Sequence, residues 1–271
     1  MSKETAQFKV DENLCTGCET CLKLCPGNMI SGGKVLVMKN GHPYMPHQNK
    51  FGFMACWKCQ HCMAACPTGA ISVLGVSPED VSEKPDPSIK EELPKLMQYR
   101  RSCRDFKDEE VPYEVIDEIM SCVCAAPTGG NNTDLQFSVV YTKDAMRQIY
   151  NARFPKKAVD LNDHTADLSE LRVYNAPHFF VAHKKCNRRF MNNGLAEISI
   201  ATAYFELLAN AYGLGTICTT YAAELMSKNQ DVRDLLHIPK DHKIMLVVGF
   251  GYPKYEYARG VKKEKDIFKM K

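Results

Sequence analysis

The sequence predicts an α+β protein of two domains, a small cysteine-rich module followed by a larger domain of mixed helices and strands. Three observations carry this. At 271 residues the chain is long for one domain, since domains commonly run to roughly 100–200 residues. Eight of its 13 cysteines fall in the first 66 residues, and the other five are scattered over the remaining 205. Between 77 and 94 the composition shifts to charges and to Pro78, Pro85, Pro87 and Pro94, which reads as a domain linker.

Composition narrows the classes. Hydrophobic residues are 45% and charged residues 25%, the ordinary balance of a globular protein. Lys and Arg total 35 against 32 Asp and Glu, a net charge of +3, too near neutral to argue for a nucleic-acid partner. No run approaches the roughly 18 apolar residues of a membrane span. Met1–Lys9 lacks the apolar core of a secretory signal, so the expected compartment is the cytoplasm. There, clustered cysteines favour metal over disulfides.

Cys15, Cys18, Cys21 and Cys25 precede Pro26, and Cys56, Cys59, Cys62 and Cys66 precede Pro67, so the pattern C-x2-C-x2-C-x3-C-P occurs twice. Three thiolates at this pitch on a tight loop can converge on three irons of one cubane, while the fourth points elsewhere and the proline fixes the following turn. Zinc knuckles or a disulfide knot are the plain alternatives. Zinc sites, however, usually pair C-x2-C with a second pair a dozen or more residues away, and three cysteines this close would crowd one tetrahedral ion. With Cys66-Pro67-Thr68-Gly69-Ala70-Ile71, the runs resemble those of bacterial two-cluster ferredoxins over about residues 5–76. That resemblance implies two 4Fe-4S clusters, with the fourth cysteine of each run serving the other cluster. Cys15, Cys18, Cys21 and Cys66 would hold the first, and Cys56, Cys59, Cys62 and Cys25 the second.

The interval from Cys25 to Cys56 is longer than in a minimal two-cluster ferredoxin. Val35–Met38, then Asn40-Gly41, then Tyr44 reads as strand, primed turn and return strand, expected to shield a cluster or to pack on the larger domain. His42, His47 and His61 lie nearby and read as surface residues, because no ligand position is left for them.

Beyond the linker, helical spacing starts at Lys95–Tyr99 and resumes behind Pro112 through Val115, Ile116, Ile119, Met120 and Val123. Strands are expected at Phe137–Tyr141, His178–Ala182 and Ile244–Gly249. A long helix is expected over about Gly194–Tyr212, with Glu197 and Glu206 interrupting an otherwise apolar run. A helix this apolar should be buried, a subunit interface being one place for it.

Four segments carry chemistry. Arg100, Arg101, Ser102 and Arg104 suit a phosphate, because guanidinium offers a planar fork of donors; a solvated charged helix end is the alternative. Ala125–Asn132 is a Pro and Gly turn whose side-chain amides match the donors and acceptors of a flavin edge, or form a plain turn. Tyr212-Gly213-Leu214-Gly215-Thr216 stops the long helix and leads into an apolar strand with free backbone amides. Val247–Pro253 is a strand leading to a turn, followed by the basic tail Arg259, Lys262 and Lys263.

In this order the four segments are similar to the nitroreductase family, FMN-dependent enzymes that act as homodimers, over about residues 94–271. The resemblance implies that Arg100, Arg101, Ser102 and Arg104 hold the FMN phosphate and ribityl chain. Arg259 and Lys262 or Lys263 would close on the phosphate from the C-terminal side. Asn131 would meet the isoalloxazine, and backbone amides around Thr219, Thr220 and Tyr221 would face the flavin N5 region. The family turn usually carries Gln two residues after the Asn. Here the positions read Thr133, Asp134 and Leu135, so the turn implies no particular substrate. Cys103, Cys122, Cys124, Cys186 and Cys218 read as small buried hydrophobes rather than nucleophiles.

The expected organisation is a two-cluster ferredoxin-like domain over 1–76, a linker over 77–94 and an α+β nitroreductase-like FMN domain over 95–271. Clusters fused upstream of a flavin imply that single electrons enter through iron and gather in pairs on FMN. The expected function is an oxidoreductase passing electrons from a low-potential donor such as ferredoxin, through both clusters and FMN, to a small acceptor: a nitroaromatic, a quinone or an activated alkene. No G-x-G-x-x-G fingerprint appears, although the family resemblance allows NAD(P)H to bind over the flavin. Two other readings stay open: a relay without a small substrate, and an NAD(P)H-fed flavoenzyme with auxiliary clusters. No protein acid or base is nominated.

Overall fold

The computed structural model describes residues 5–52, 54–132, 134–185, 191–268 and 270, with Met191 and Asn192 described by backbone alone. Thr133 and Cys186 lie outside the described residues. The chain divides into two compact units, Met1–Asp86 with Gly130–Asn132, and Pro87–Gly129 with Thr133–Lys271.

The first unit runs β1 (Lys9–Val10), α1 (Thr20–Lys23), α2 (Pro26–Ser31), β2 (Val37–Lys39), β3 (His42–Tyr44), α3 (His61–Ala64) and β4 (Ile71–Ser72). β1 and β4 pair antiparallel, Val10 opposite Ile71. β2 and β3 form the expected hairpin. Its turn residues Asn40 and Gly41 take φ of 52° and 83°, the left-handed pair a primed turn requires. The two cysteine runs fold alike: Glu19 and Gln60, each one residue after the second cysteine of its run, sit at φ of 60° and 59° and start the one-turn helices α1 and α3. Each helix buries the third cysteine of its run, Cys21 or Cys62, in a core with Phe8, Leu36, Met63, Ile71 and Val73.

One buried amide ties the hairpin insert to this core. Asn28 on α2 accepts from the backbone N–H groups of Val35 and Leu36 at 2.9 and 2.8 Å and donates to the carbonyls of Leu36 and Leu22 at 2.9 and 3.3 Å. Every hydrogen-bonding site of the side chain is filled, as burial demands.

The second unit runs α4 (Ile89–Tyr99), α5 (Tyr113–Val123), β5 (Leu135–Val140), α6 (Lys143–Arg153), β6 (His178–Lys185), α7 (Met191–Ala211), β7 (Gly215–Thr219), α8 (Thr220–Ser227), α9 (Gln230–Leu235) and β8 (His242–Gly251). Its four strands form one antiparallel sheet in the order β5-β6-β8-β7. Both faces are covered. Phe179 and Val181 of β6 point into a core shared with α6, α8 and α9, whereas Phe180 and Ala182 point into one shared with α5 and α7, the period of two that a strand imposes. On α7, Ile198, Ala201, Phe205 and Ala209 are fully buried against that second face.

Three expectations are corrected. Helix α4 begins at Ile89 and contains Pro94, where the composition read as linker. The proline is tolerated because the first turn is exposed, so water takes the place of the missing amide. Strands β6 and β8 run past the apolar stretches because Lys184 and Lys185 still pair with Lys243 and His242. Cys122 and Cys124 are exposed rather than buried, since Ile116, Ile119 and Val123 take the inner stripe of α5. Cys103 is buried and Cys218 half-buried, and burial pushes the Cys218 thiol up to about 12.

Candidate functional site

In the first unit the eight cysteines of the repeat surround two cavities. Cys15, Cys18, Cys21 and Cys66 line one, with Pro43 and Ile71; Cys25, Cys56, Cys59 and Cys62 line the other, with Leu36, Met45 and Trp57. Each cavity therefore takes three thiols from one run and the fourth from the other. The exchange follows from the backbone. Cys25 is extended at the N-cap of α2, where Pro26 starts the helix and turns the chain away from its own run. The hairpin insert supplies a wall to each cavity, Pro43 to the first and Met45 to the second. His61 lies at the second cavity, its Nδ1 3.2 Å from the Cys59 carbonyl oxygen, while His42 and His47 line neither.

The surroundings suit thiolates bound to iron. The N–H groups of Lys58 and Ala70 donate to the sulfurs of Cys56 and Cys66 at 3.4 and 3.3 Å. Burial pushes the thiols of Cys21 and Cys62 up to about 11 and about 12, whereas hydrogen bonds from Thr20 hold exposed Cys18 down. Raised thiols of this kind release their protons when they take a metal. Among the described residues no three His, Cys, Asp or Glu side chains are placed to hold a single metal ion. Four thiols spaced around a cavity are instead the donor set of a 4Fe-4S cubane, one thiolate to each iron.

The second unit gathers the basic motif with the C-terminal segments. Tyr99, Arg101, Ser102, Arg104, Gly215 and Tyr257 are among the residues lining one cavity. The arginine segment is pinned to β7 by the Cys103 N–H, which donates to the Thr216 carbonyl at 2.7 Å. A Cβ on Gly215 would stand 2.7 Å from that of Cys103, so the second glycine of the G-L-G stop is what permits the approach. The backbone N–H groups of Lys107 and Lys254 donate to the carbonyls of Tyr252 and Asp105 at 2.8 and 3.0 Å. The tail returns as well, since the Val261 N–H donates to the Gln98 carbonyl at 3.1 Å and Tyr257 meets Tyr99 edge-on at 6.5 Å. Lys262 follows Val261 and Arg259 stands two residues before it, so this stretch of the tail's backbone lies beside the end of α4.

Of the predicted phosphate ligands, Arg101, Ser102 and Arg104 line this cavity, and Arg100, Arg259 and Lys262 are not among its lining residues. Arg100 pairs with Glu206 of α7 at 3.3 Å, and the same carboxylate oxygen accepts from the Thr216 hydroxyl at 3.2 Å. Arg101 spends Nη1 and Nη2 on the carbonyls of Arg100 and Gln98 at 2.7 and 2.6 Å, leaving a buried Nε–H without a partner. An unmet buried donor at a cavity that Arg104 also lines fits an anionic ligand.

Thr219 ends β7 and caps α8, its hydroxyl accepting from the Ala222 N–H at 3.4 Å. Thr219 and Tyr221 line a further cavity with Ser169, Glu170, Arg172 and Tyr174, and Thr220 is exposed. Asn131 belongs to the first unit, where its Nδ2 donates to the Trp57 carbonyl at 2.8 Å. Sequence reasoning noticed Glu197 and Glu206 only as interruptions of an apolar helix and passed over Lys184, Arg172 and Tyr174. A charge on a helix that must be buried was the available signal for the two glutamates.

Comparison with known proteins follows the same division. A 4Fe-4S dicluster domain matches residues 14–71. Human iodotyrosine deiodinase 1 is 26% identical over 187 residues, covering 61% of this chain and 63% of its own length. A putative NADH dehydrogenase/NAD(P)H nitroreductase from Archaeoglobus fulgidus is 26% identical over 167 residues, covering 61% of this chain and 88% of its own. The chain thus spans less than two thirds of the deiodinase's length. The fold matches a nitroreductase with bound FMN from Desulfitobacterium hafniense at a TM-score of 0.53 and 21% identity, over 66% of this chain and 98% of that one. Since the Nitroreductase family model matches residues 97–252, more than half of the sequence, the chain belongs to the nitroreductase family of flavin oxidoreductases, and it carries an iron–sulfur dicluster domain ahead of that match.

Proposed function

We propose that the chain passes electrons from a low-potential donor such as reduced ferredoxin through two 4Fe-4S clusters to FMN and on to a small organic acceptor: a nitroaromatic, a quinone or an activated alkene. The observation that carries this reading is the pair of four-thiol cavities in a nitroreductase-family chain. In it, Cys15, Cys18, Cys21 and Cys66 hold one cluster, and Cys25, Cys56, Cys59 and Cys62 the other. Arg101, Ser102 and Arg104 hold the FMN phosphate, joined by Arg259 and Lys262 from the tail. Arg100, tied to Glu206, fixes the segment that presents them. The backbone of Thr219, Thr220 and Tyr221 faces the flavin. FMN supplies the ability to accept electrons singly or in pairs. The domains of this reading are 1–76 and 95–271, and the segment between them, 77–94, ends in the first residues of α4.

The same reading makes the protein a cytoplasmic homodimer. No helix of the described residues is long and apolar enough to cross a membrane. Ile200 and Tyr204, one turn apart on α7, are 36% and 43% exposed, and exposed apolar side chains on the helix support a second copy there.

A second reading, in which NAD(P)H feeds the flavin and the clusters are auxiliary, is favoured by the name of the Archaeoglobus relative. Cys18→Ala with Cys59→Ala separates the two. The first reading expects a folded FMN protein that no longer accepts electrons from reduced ferredoxin, and the second expects NAD(P)H turnover at the wild-type rate.

A further inference from the structure

The cavity at the start of α8 contains side chains that the cofactor contacts leave unused. Besides Thr219 and Tyr221 its wall holds Ser169, Glu170, Arg172 and Tyr174. Glu170 is already met by the Lys157 ammonium at 2.7 Å. The Arg172 guanidinium stands 5.4 Å from the Tyr221 ring centre, and that of Arg104 stands 5.8 Å from the Tyr174 ring centre. Among the described residues no carboxylate pairs with either arginine. Arg104 also lines the basic cavity, so the two cavities adjoin at the Arg104 and Tyr174 contact.

The loop that presents these groups is braced against strain. Arg172, Tyr174 and Asn175 take φ of 63°, 58° and 56°, conformations that side chains with a Cβ adopt only when their surroundings enforce them. Leu171 and Val173, at 1% and 0% exposure, anchor the loop from below. Asn175 closes it, donating to Asp167 at 3.1 Å and accepting from the Leu168 N–H at 3.0 Å. Arg172 and Tyr174 are left facing outward.

We propose that this cavity is the acceptor subsite and that it selects a planar aromatic bearing an anionic substituent. The ring packs on Tyr174 or Tyr221, and the anion takes the Arg172 fork. The inference rests on the reading that the chain reduces a small organic acceptor.

The test uses the oxidised protein with clusters and FMN in place, titrated calorimetrically with 4-nitrobenzoate and with its neutral analogue 4-nitrobenzamide. The expected result is at least tenfold tighter binding of the benzoate. Arg172→Gln should bring it down to the affinity of the amide, Arg172→Lys should restore part of the preference, and added salt should narrow it. Equal binding of both ligands by the wild type overturns the proposal. So does an Arg172→Gln protein that loses FMN or weakens both ligands alike, because Arg172 would then serve the cofactor. Turnover separates the parent reading: each nitro group reduced to nitroso takes two electrons from ferredoxin and two solvent protons and releases water. Reduction of both compounds without charge preference sinks the subsite alone. Reduction of neither, with FMN present, sinks the subsite alone when a quinone or an activated alkene is still reduced, and sinks the parent reading with it when none of the three acceptor classes is.

Discussion

Lys184 on β6 and Glu197 on α7 form an ion pair with side chains 8% and 7% exposed, and the second carboxylate oxygen accepts the Gly129 N–H at 2.8 Å. The glutamate therefore ties helix, sheet and the start of the Gly-Asn turn together. Removing one partner strands a buried charge, which costs about 3–5 kcal/mol. Glu197→Leu should lower stability by that amount in denaturant unfolding. Lys184→Met with Glu197→Leu should recover much of the loss, because neither charge is then left alone. A single variant as stable as wild type would show that the pair does not hold the turn.

The exchange of fourth cysteines predicts that variants from opposite runs share a defect. Cys18→Ala and Cys66→Ala should each disturb the same cluster, and Cys59→Ala with Cys25→Ala the other, as read by iron content and by electron paramagnetic resonance of the reduced protein. If Cys66→Ala instead matched Cys59→Ala, the fourth thiol would belong to its own run.

Asn28 is the joint between α2 and the hairpin insert. Asn28→Ala leaves the buried N–H groups of Val35 and Leu36 and the Leu36 carbonyl without partners, each an uncompensated loss of about 1–3 kcal/mol. The expected outcome is faster loss of cluster absorbance on warming, with Asn28→Asp closer to wild type because it keeps the acceptor. Identical loss rates would remove Asn28 from the account.

The cysteine repeat made the first unit legible, because ligand spacing is local in sequence and turn geometry follows from it. The primed turn at Asn40-Gly41 was legible for the same reason. The partners of Arg100, Lys184 and Arg172 were not. Each is set by contacts such as Arg100 with Glu206, 106 residues away, and no spacing rule encodes those. The start of α4 was missed because Pro94 argues against a helix interior, and only the helix's exposure makes it tolerable. The exposed Cys122 and Cys124 were misread because residue type was taken for burial, when the face of α5 decided it.

Two buried histidines predict acid lability. His178 Nε2 accepts the Val111 N–H at 2.8 Å, so its ring is neutral, and burial lowers its pKa to about 4 from 6.5. His183 is lowered to about 4 by burial, with His242 2.9 Å away. The unfolded chain takes up these protons near pH 6.5 and the folded one only near pH 4. Stability is therefore fully present above about pH 6.5 and falls as pH drops toward 4, by about 1.4 kcal/mol per unit for each histidine. His178→Gln keeps an acceptor for Val111 without titrating, and its unfolding free energy should vary less steeply over that range. An unchanged slope would place the acid sensitivity elsewhere.

Delivery of electrons to FMN through iron is tested most directly by anaerobic stopped-flow spectroscopy of protein assayed for iron, sulfide and FMN. The protein is mixed with reduced ferredoxin and, separately, with NADH. The account predicts about eight irons and one FMN per chain, the number that two four-iron clusters require, and cluster bleaching ahead of flavin reduction with ferredoxin. Flavin reduced directly by NADH, with no response to ferredoxin, would contradict it.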